Sequence, residues 1–200
     1  MDEHLKWKTL SSEYLSHETW FTVRKDTCER NDGTIVNNYY VFEFPEWATA
    51  FPITAEGKII MTKQYRHALG EVGIELPGGC VDKTDASFED AIKRELLEET
   101  GYGGSQFFCV GQSFPNTGSQ NNTLWSFLAV GVVKLQGQQL DEAEHIEIVL
   151  QDFTDFNRDI WGGAIPLQSL HLATIGLASH FIKQSKLPEL EALRRALQQR

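Results

Sequence analysis

Three glutamates, Glu95, Glu98 and Glu99, stand close together in the string ELLEE. Carboxylate oxygens are the ligands that hard divalent cations such as Mg²⁺ and Mn²⁺ prefer in proteins. Negative charge at this density needs a positive counterpart, which basic side chains or a bound divalent cation would supply. A solvated acidic helix end is the ordinary alternative, so the surrounding sequence has to decide between them.

The segment that carries these glutamates has the signals of a helix from about Phe88 to Thr100. Ser87 is a suitable N-cap with Asp90 three residues further on, and Gly101 follows the last turn as a C′ residue would. The pattern therefore predicts a helix whose last turns hold all three glutamates. Because the C-terminal end of a helix carries partial negative charge, each exposed carboxylate there costs about 0.3–1 kcal/mol.

Helical periodicity places two of the glutamates on the apolar side of this helix. Ala91 and Ile92 mark the apolar stripe at roughly 100° per residue, and Glu95 and Glu99 continue it. Glu98 lies at its flank. Inward-facing carboxylates are costly without compensation, so the pattern indicates nearby positive charge, from arginine or lysine side chains or from bound cations.

The composition is that of a globular protein with one main domain. The chain has 200 residues, of which 41% are hydrophobic and 23% charged, and its formal net charge is −10. Nucleic-acid binding rests on basic surfaces, so this charge argues against nucleic acid as a partner. It is compatible with a small phosphorylated substrate that is bound together with its metal.

The sequence shows neither targeting signals nor a disulfide pattern. Its start, MDEHLKWKTL, lacks the apolar core of a signal peptide, and no apolar run approaches the ~20 residues of a membrane span. The cysteines, Cys28, Cys80 and Cys109, are odd in number and far apart. We expect reduced thiols in a cytoplasmic protein without a membrane partner.

The rest of the chain alternates between strand and helix patterns. An Asp-Gly turn predicts a hairpin over residues 20–44, and the polar loop 115–123 is long enough to cover a site. The amphipathic tail 187–200 either caps the fold or lies disordered. Further strands are predicted over 47–54, 58–67, 107–114, 124–135 and 145–150, and helices over 155–161 and 167–183.

A glycine pair and the helix after it together resemble the Nudix box, G(x5)E(x7)REU(x)EE(x)GU, in which U is bulky and apolar. The first acidic position of the box holds Asp85 in place of Glu, and eight residues rather than seven separate it from the arginine. The role of Asp85 therefore stays open, while the metal-binding half is intact. The positions that match are Gly79, Arg94, Glu95, Leu96, Glu98, Glu99, Gly101 and Tyr102.

This resemblance implies an α+β protein, a Nudix α/β/α sandwich with a mixed β-sheet and an N-terminal β-hairpin subdomain. We expect residues 1–46 to form the N-terminal β subdomain, 47–185 the Nudix hydrolase domain and 186–200 a C-terminal tail helix. The hairpin and the QYR sequence at Arg66 resemble ADP-ribose pyrophosphatases and other nucleotide-sugar members. Their N-terminal subdomain helps to build a homodimer with shared active sites, which we expect here as well.

The same resemblance implies the metal-binding residues. Glu95, Glu98 and Glu99, with the carbonyl oxygen of Gly78, would hold Mg²⁺, for which Mn²⁺ could substitute. Glu98 is also a candidate catalytic carboxylate. Arg94 would orient the glutamates by ion pairing.

Base and phosphate-binding residues are implied in the same way. An acidic loop (Asp141, Glu142 and Glu144) would supply the catalytic base, with Glu144 as first candidate and Glu142 as second. Arg66 would hold a substrate phosphate, which suits a planar bidentate donor, and a surface arginine is the alternative. Glu75 would contact the nucleotide ribose or a partner subunit, or form a structural salt bridge.

Substrate and reaction follow from the resemblance too. Trp20 and Trp47 would stack on a nucleotide base, although aromatic residues in strands usually belong to the core. We expect Mg²⁺-dependent hydrolysis of ADP-ribose to AMP and ribose 5-phosphate, with an ADP- or GDP-hexose as the alternative substrate. A non-catalytic module that senses a nucleotide sugar is disfavoured by the intact glutamates, and a structural metal protein by the open ligand shell.

Overall fold

The computed structural model describes residues 2–104 and 106–198, which contain eleven β-strands and four α-helices. The strands are β1 (Lys8–Glu18), β2 (Phe21–Glu29), β3 (Ile35–Glu43), β4 (Trp47–Thr54), β5 (Lys58–Arg66), β6 (Glu71–Glu75), β7 (Gly78–Cys80), β8 (Tyr102–Gly103), β9 (Gln106–Ser113), β10 (Leu124–Lys134) and β11 (Glu147–Asp152). The helices are α1 (Phe88–Thr100), α2 (Phe153–Trp161), α3 (Ser169–Gln184) and α4 (Glu191–Ala196).

One compact unit consists of residues 2–45 and 114–123. Its main element is an antiparallel sheet in the order β1-β2-β3. The polar loop belongs to this unit, since the Phe42 N–H donates a hydrogen bond to the Ser119 carbonyl (2.7 Å). The loop therefore extends the N-terminal sheet at the β3 edge.

The N-terminal sheet has one strand more than the sequence pattern predicts. The hairpin predicted over 20–44 is confirmed as β2 and β3, with Gly33 in the left-handed region (φ 80°) of its turn. The subdomain also contains β1, a strand that the sequence pattern does not predict, which pairs with β2. All but one of the β1 residues are exposed, and register shifts after Thr9 and Tyr14 interrupt the alternation. A pattern with a period of two does not detect such a bulged strand.

The second compact unit consists of residues 46–113 and 124–198 and is built on an eight-stranded mixed sheet. The main strand order is β11-β5-β4-β10-β8, and β6, β7 and β9 pair with β5, β4 and β10. β4 and β10 run parallel, with Trp47 opposite Leu124, and the other pairings are antiparallel. The predicted mixed sheet is confirmed.

Helices cover both faces of this sheet. Along β4, Ala48 and Ala50 pack with Ile92 of α1, whereas Phe51 and Ile53 pack with residues of α2 and α3. Successive residues of a strand point to opposite faces, so one buried strand serves both layers. The α+β class and the α/β/α sandwich are therefore confirmed.

The C-terminal tail caps the fold as far as residue 198. Leu190 and Leu193 are buried in the same cluster as Phe156 of α2 and Ile182 of α3. Each buried leucine contributes about 1.5–3 kcal/mol, which explains why this segment packs on the fold instead of lying free. Residues 199 and 200 of the predicted tail lie outside the described part of the chain.

The remaining predicted elements are present, with ends shifted by at most two residues. None of the described helices combines the length and the apolar character that crossing a bilayer requires.

Candidate active site

Local capping fixes where α1 begins and ends. The Ser87 hydroxyl accepts a hydrogen bond from the Asp90 N–H (3.1 Å). Gly101 adopts a left-handed φ of 70° and its N–H donates to the Leu97 carbonyl (2.7 Å). The helix predicted over Phe88–Thr100 is thereby confirmed.

The three glutamates of α1 differ in exposure according to their positions on the helix. Glu99 is 6% exposed and the Glu95 side chain 16%, whereas 40% of the Glu98 side chain is accessible. The inward placement of Glu95 and Glu99 is confirmed. The last two turns of α1 thus bury two carboxylates and leave the third at the edge.

Gly78 and Gly79 let the backbone approach these carboxylates more closely than other residue types would. A Cβ at Gly79 would lie 2.7 Å from the Glu95 carboxyl carbon. Gly78 has a φ of 154°, and its N–H donates to a Glu99 carboxylate oxygen (3.0 Å). Both buried carboxylates therefore lie directly against backbone.

The two buried carboxylates resist ionisation. Burial raises the pKa of Glu99 to about 8; the Gly78 N–H opposes this rise, and the nearby Glu95 and Glu144 reinforce it. Burial also raises the pKa of Glu95, although Arg94 opposes the rise. Adjacent carboxylates whose pKa values are raised by burial are candidates for a functional site, and a bound cation would favour their ionised forms.

The available ligands fit a hard divalent cation. Glu95, Glu98 and Glu99 offer only oxygen atoms, and Gly78 adjoins them. Within residues 2–104 and 106–198, no three His, Cys, Asp or Glu side chains already converge as a metal site. Glu95 and Glu98 hydrogen-bond to Arg94 instead, and Glu99 to the Gly78 N–H. Each of these hydrogen bonds uses one carboxylate oxygen, so the second oxygen of each glutamate could serve as a ligand.

Arg94 connects the metal-binding candidates to Asp85. Its guanidinium donates to both oxygens of Asp85 (3.1 and 2.9 Å), to Glu95 (2.9 Å) and to Glu98 (3.1 Å). The Asp85 side chain is nearly buried, and its hydrogen bonds with Arg94 lower its pKa. Asp85 is thus the carboxylate partner of Arg94, and this ion pair is the role of Asp85 that the sequence left open.

The loop before α1 accommodates the extra residue. Asp82 accepts a hydrogen bond from the Thr84 N–H (2.8 Å), and the Asp82 N–H donates to Asp85 (2.8 Å). This compact turn is of the kind that aspartate side chains form with their own backbone. It keeps Asp85 within reach of Arg94 despite the added residue.

A second ion pair lies just before the glycine pair. Arg66, at the end of β5, donates to both oxygens of Glu75, at the end of β6 (2.7 and 2.6 Å). Burial alone would raise the pKa of Glu75, but the contacts with Arg66 and with His171 lower it to about 2. Of the roles expected for Glu75, the structure shows the salt bridge. Arg66 is half exposed, so part of its guanidinium stays accessible.

His171 of α3 is a site residue that the sequence does not single out. It is 5% exposed, and its Nε2 lies 3.8 Å from a Glu75 carboxylate oxygen. Neither ring nitrogen has a hydrogen-bond partner within the described residues. A single histidine in a helix carries no motif, and only the fold brings it beside Glu75.

The Arg66–Glu75 pair should make stability depend on pH in acid. Because the pKa of Glu75 falls from its ordinary 4.5 to about 2 on folding, the pair stabilises the fold above pH 4.5, and this contribution is lost as the pH falls through 2. We expect Glu75→Gln to lower the free energy of unfolding by about 2 kcal/mol at pH 7, allowing for the half-exposed arginine, and hardly at all at pH 2.

Urea unfolding at pH 7, 4 and 2 measures this difference. Glu147→Gln is a matched control, because Glu147 forms an exposed pair with Lys63 (3.4 Å) and should change the free energy of unfolding by under about 0.5 kcal/mol. If Glu75→Gln lowers the free energy of unfolding by the same amount at pH 7 and at pH 2, the charge of Glu75 is not the cause of the loss.

The acidic loop lies within electrostatic range of the buried carboxylates. Glu144 is exposed and accepts a hydrogen bond from the Asp141 N–H (3.1 Å). Its charge contributes to the raised pKa values of Glu95 and Glu99. Glu142, the second candidate, is also exposed. The structure therefore brings Glu144 into electrostatic contact with the metal-binding candidates.

The two tryptophans lie in different units. Trp20 belongs to the N-terminal unit, where it is 71% exposed in the turn between β1 and β2. Trp47 begins β4 in the second unit, is half-buried and lies opposite Cys80 of β7. Base stacking by either residue stays a prediction.

Two family models match consecutive parts of the chain. Residues 7–42 match the nucleoside diphosphate sugar hydrolase N-terminal domain, and residues 45–166 match the NUDIX domain. The second match covers more than half of the chain. It includes the glycine pair, α1 and the acidic loop.

Relatives and solved structures agree with these matches. The chain is 32% identical to the ADP-ribose pyrophosphatase of Bacillus subtilis (strain 168) over 146 residues, 72% of this chain and 78% of that protein. It is 27% identical to the methanol dehydrogenase activator of Bacillus methanolicus over 143 residues, 71% and 76% of the two chains. A crystal structure of an ADP compounds hydrolase superposes with a TM-score of 0.78 at 18% identity, covering 91% of this chain and 97% of that one, and supports the fold.

Proposed function

The chain belongs to the Nudix family and is a nucleoside diphosphate pyrophosphatase, and from this premise we propose that it hydrolyses ADP-ribose to AMP and ribose 5-phosphate. The observation that carries the proposal is the placement of the buried Glu99 and the largely buried Glu95 against the glycine pair. The similarity to an ADP-ribose pyrophosphatase favours ADP-ribose among the nucleotide sugars.

We propose that Glu95, Glu98, Glu99 and the Gly78 carbonyl hold Mg²⁺, with Mn²⁺ as a functional substitute. When bound, the ion would neutralise charge on the diphosphate and make the attacking water more acidic. Arg94 would keep Glu95 and Glu98 oriented, because its hydrogen bonds to both are already formed.

The protein's own groups would supply the base and the phosphate contact. Glu144 would accept the proton of the attacking water, since its carboxylate is exposed and its charge acts on Glu99. Arg66 would bind a phosphate with the part of its guanidinium that Glu75 leaves accessible. Water adds to one phosphorus, the bridging P–O bond breaks, and two phosphate monoesters leave.

The N-terminal part would complete the enzyme as a homodimer. We propose that residues 1–46 form the dimerisation subdomain, 47–185 the catalytic domain and 186–200 the tail. Trp20 or Trp47 would stack on the adenine. The cysteines are free thiols in the structure, which accords with a cytoplasmic location.

A substrate panel tests the proposed reaction. We expect ADP-ribose with Mg²⁺ to be hydrolysed fastest, followed by ADP-glucose and GDP-mannose, with phosphate release measured after a phosphatase has cleaved the monoesters. Faster turnover of a hexose derivative would favour the alternative substrate class. Calorimetric binding of ADP-ribose without turnover of any compound would indicate a sensing module instead.

Light scattering tests the proposed homodimer. The N-terminal sheet exposes several large apolar side chains, and β1 forms one edge of that sheet, with β2 as its only neighbour among the described strands. We expect light scattering to give twice the 22.7 kDa of one chain, and Leu10→Glu with Leu15→Glu to give one chain. A monomeric wild type would exclude shared sites. The exposed large apolar residues of this unit include Trp7, Leu10, Tyr14, Leu15, Trp20, Phe21, Ile35 and Tyr40.

A further inference from the structure

Most of the last backbone carbonyls of α1 accept hydrogen bonds from residues in other segments. A helix leaves its last four carbonyls without partners inside the helix. Here the Leu97 carbonyl accepts from the Gly101 N–H, the Glu98 carbonyl from the Gln139 N–H (2.8 Å) and the Glu99 carbonyl from the Gln138 side chain (2.7 Å). Two of the four bonds thus come from the residues that lead into the acidic loop.

The fourth carbonyl, that of Thr100, has its partner outside the acidic loop. Thr100 O accepts from the Lys134 ammonium group (2.6 Å), which belongs to β10 and not to the acidic loop. The end of α1 is therefore held by the sheet even without the loop. The bonds from Gln138 and Gln139 instead determine where the acidic loop begins.

Gln138 also determines where the acidic loop ends. The same Nε2 that donates to the Glu99 carbonyl donates to the Ile146 carbonyl (3.0 Å), and the Ile146 side chain is 5% exposed, so that end is anchored in the core. One amide group therefore joins both ends of the loop to the helix residue that we propose as a metal ligand. Glu144 lies between the two ends.

We propose that Gln138 is a positioning residue, which holds the acidic loop against the end of α1 and so sets the place of Glu144 relative to Glu99. The inference deepens the proposed function and rests on it. Gln138 touches neither substrate nor metal in this scheme and acts through Glu144. Small displacements of a reacting group can cost about a hundredfold in rate, so a single side-chain amide can matter here.

Gln138→Ala removes both side-chain bonds, and Gln139→Ala is its matched control. Gln139 bonds through its backbone N–H, which alanine retains. We expect kcat of Gln138→Ala to fall by about 10- to 30-fold, with KM and Mn²⁺ affinity within about twofold of wild type. Gln139→Ala should keep all three values.

A double-mutant cycle shows whether the loss passes through Glu144. In a Glu144→Gln background, Gln138→Ala should change kcat by less than about twofold, because the misplaced group is already inactive. An equal fractional loss in both backgrounds overturns the coupling to Glu144. If Gln138→Ala acted by a general loss of stability, its Mn²⁺ affinity would fall as well. We expect that affinity to stay within about twofold of wild type.

Hydrogen exchange tests the contact without any activity. Amides of residues 139–146 should exchange at least about tenfold faster in Gln138→Ala than in Gln139→Ala, and unchanged exchange overturns the proposal. If the wild type hydrolyses no nucleotide sugar, the proposed function fails, and the exchange result alone then decides whether Gln138 holds the loop.

Discussion

Replacement of Glu99 by glutamine should lower the turnover of ADP-ribose by about a thousandfold. The substitution removes a charged oxygen ligand from the most buried position of the proposed metal site, where few other groups could compensate. Glutamine keeps the volume, and its amide oxygen can still accept from the Gly78 N–H (3.0 Å in the wild type). The protein should therefore remain folded while its affinity for Mg²⁺ or Mn²⁺ falls.

Calorimetric titration with Mn²⁺ and steady-state kinetics measure the two effects separately. Glu89→Gln is the matched control: Glu89 lies on the same helix, has a half-exposed side chain and pairs with Lys93 (2.5 Å). It should retain wild-type turnover and Mn²⁺ affinity. Full activity of Glu99→Gln would mean that the metal site lies elsewhere, whereas unchanged Mn²⁺ affinity with low turnover would give Glu99 a role in the chemistry.

Glu144→Gln should lower kcat by about a hundredfold to a thousandfold and leave Mn²⁺ affinity near that of the wild type. The exposed side chain contributes little to folding, so the loss should come from the missing base and not from unfolding. Steady-state kinetics with ADP-ribose and calorimetric titration with Mn²⁺ measure the two quantities separately.

Glu142→Gln is the decisive comparison for this assignment, because both glutamates lie in the acidic loop and both are exposed. Loss of activity in Glu142→Gln with retention in Glu144→Gln would move the base by two residues. Glu147→Gln, a surface change just beyond the loop, controls for altered charge near the site.

Features that depend on neighbouring residues could be predicted from the sequence. The ends of α1 follow from Ser87 and Gly101, whose capping bonds are local. The inward placement of Glu95 and Glu99 follows from helical geometry. The layers of the main sheet follow from strands that are apolar along their whole length, as in β4.

Features that depend on distant contacts could not be predicted. The pairing of Arg66 with Glu75 and the position of His171 beside it arise only when β5, β6 and α3 assemble. The N-terminal strand escaped prediction for a different reason, since its bulges remove the periodicity on which a strand assignment depends. The Gln138 contacts likewise join segments that share no sequence pattern.

The aspartate turn before α1 has a consequence for the evolution of such sites. Asp82 and Asp85 take up one inserted residue within the loop, while the pairing of Asp85 with Arg94 and the register of the helix are retained. One additional residue at this point is therefore compatible with the ion pair. A sequence pattern that requires seven residues between the acidic residue and the arginine would miss family members with this loop. A pattern that allows seven or eight residues there would include them.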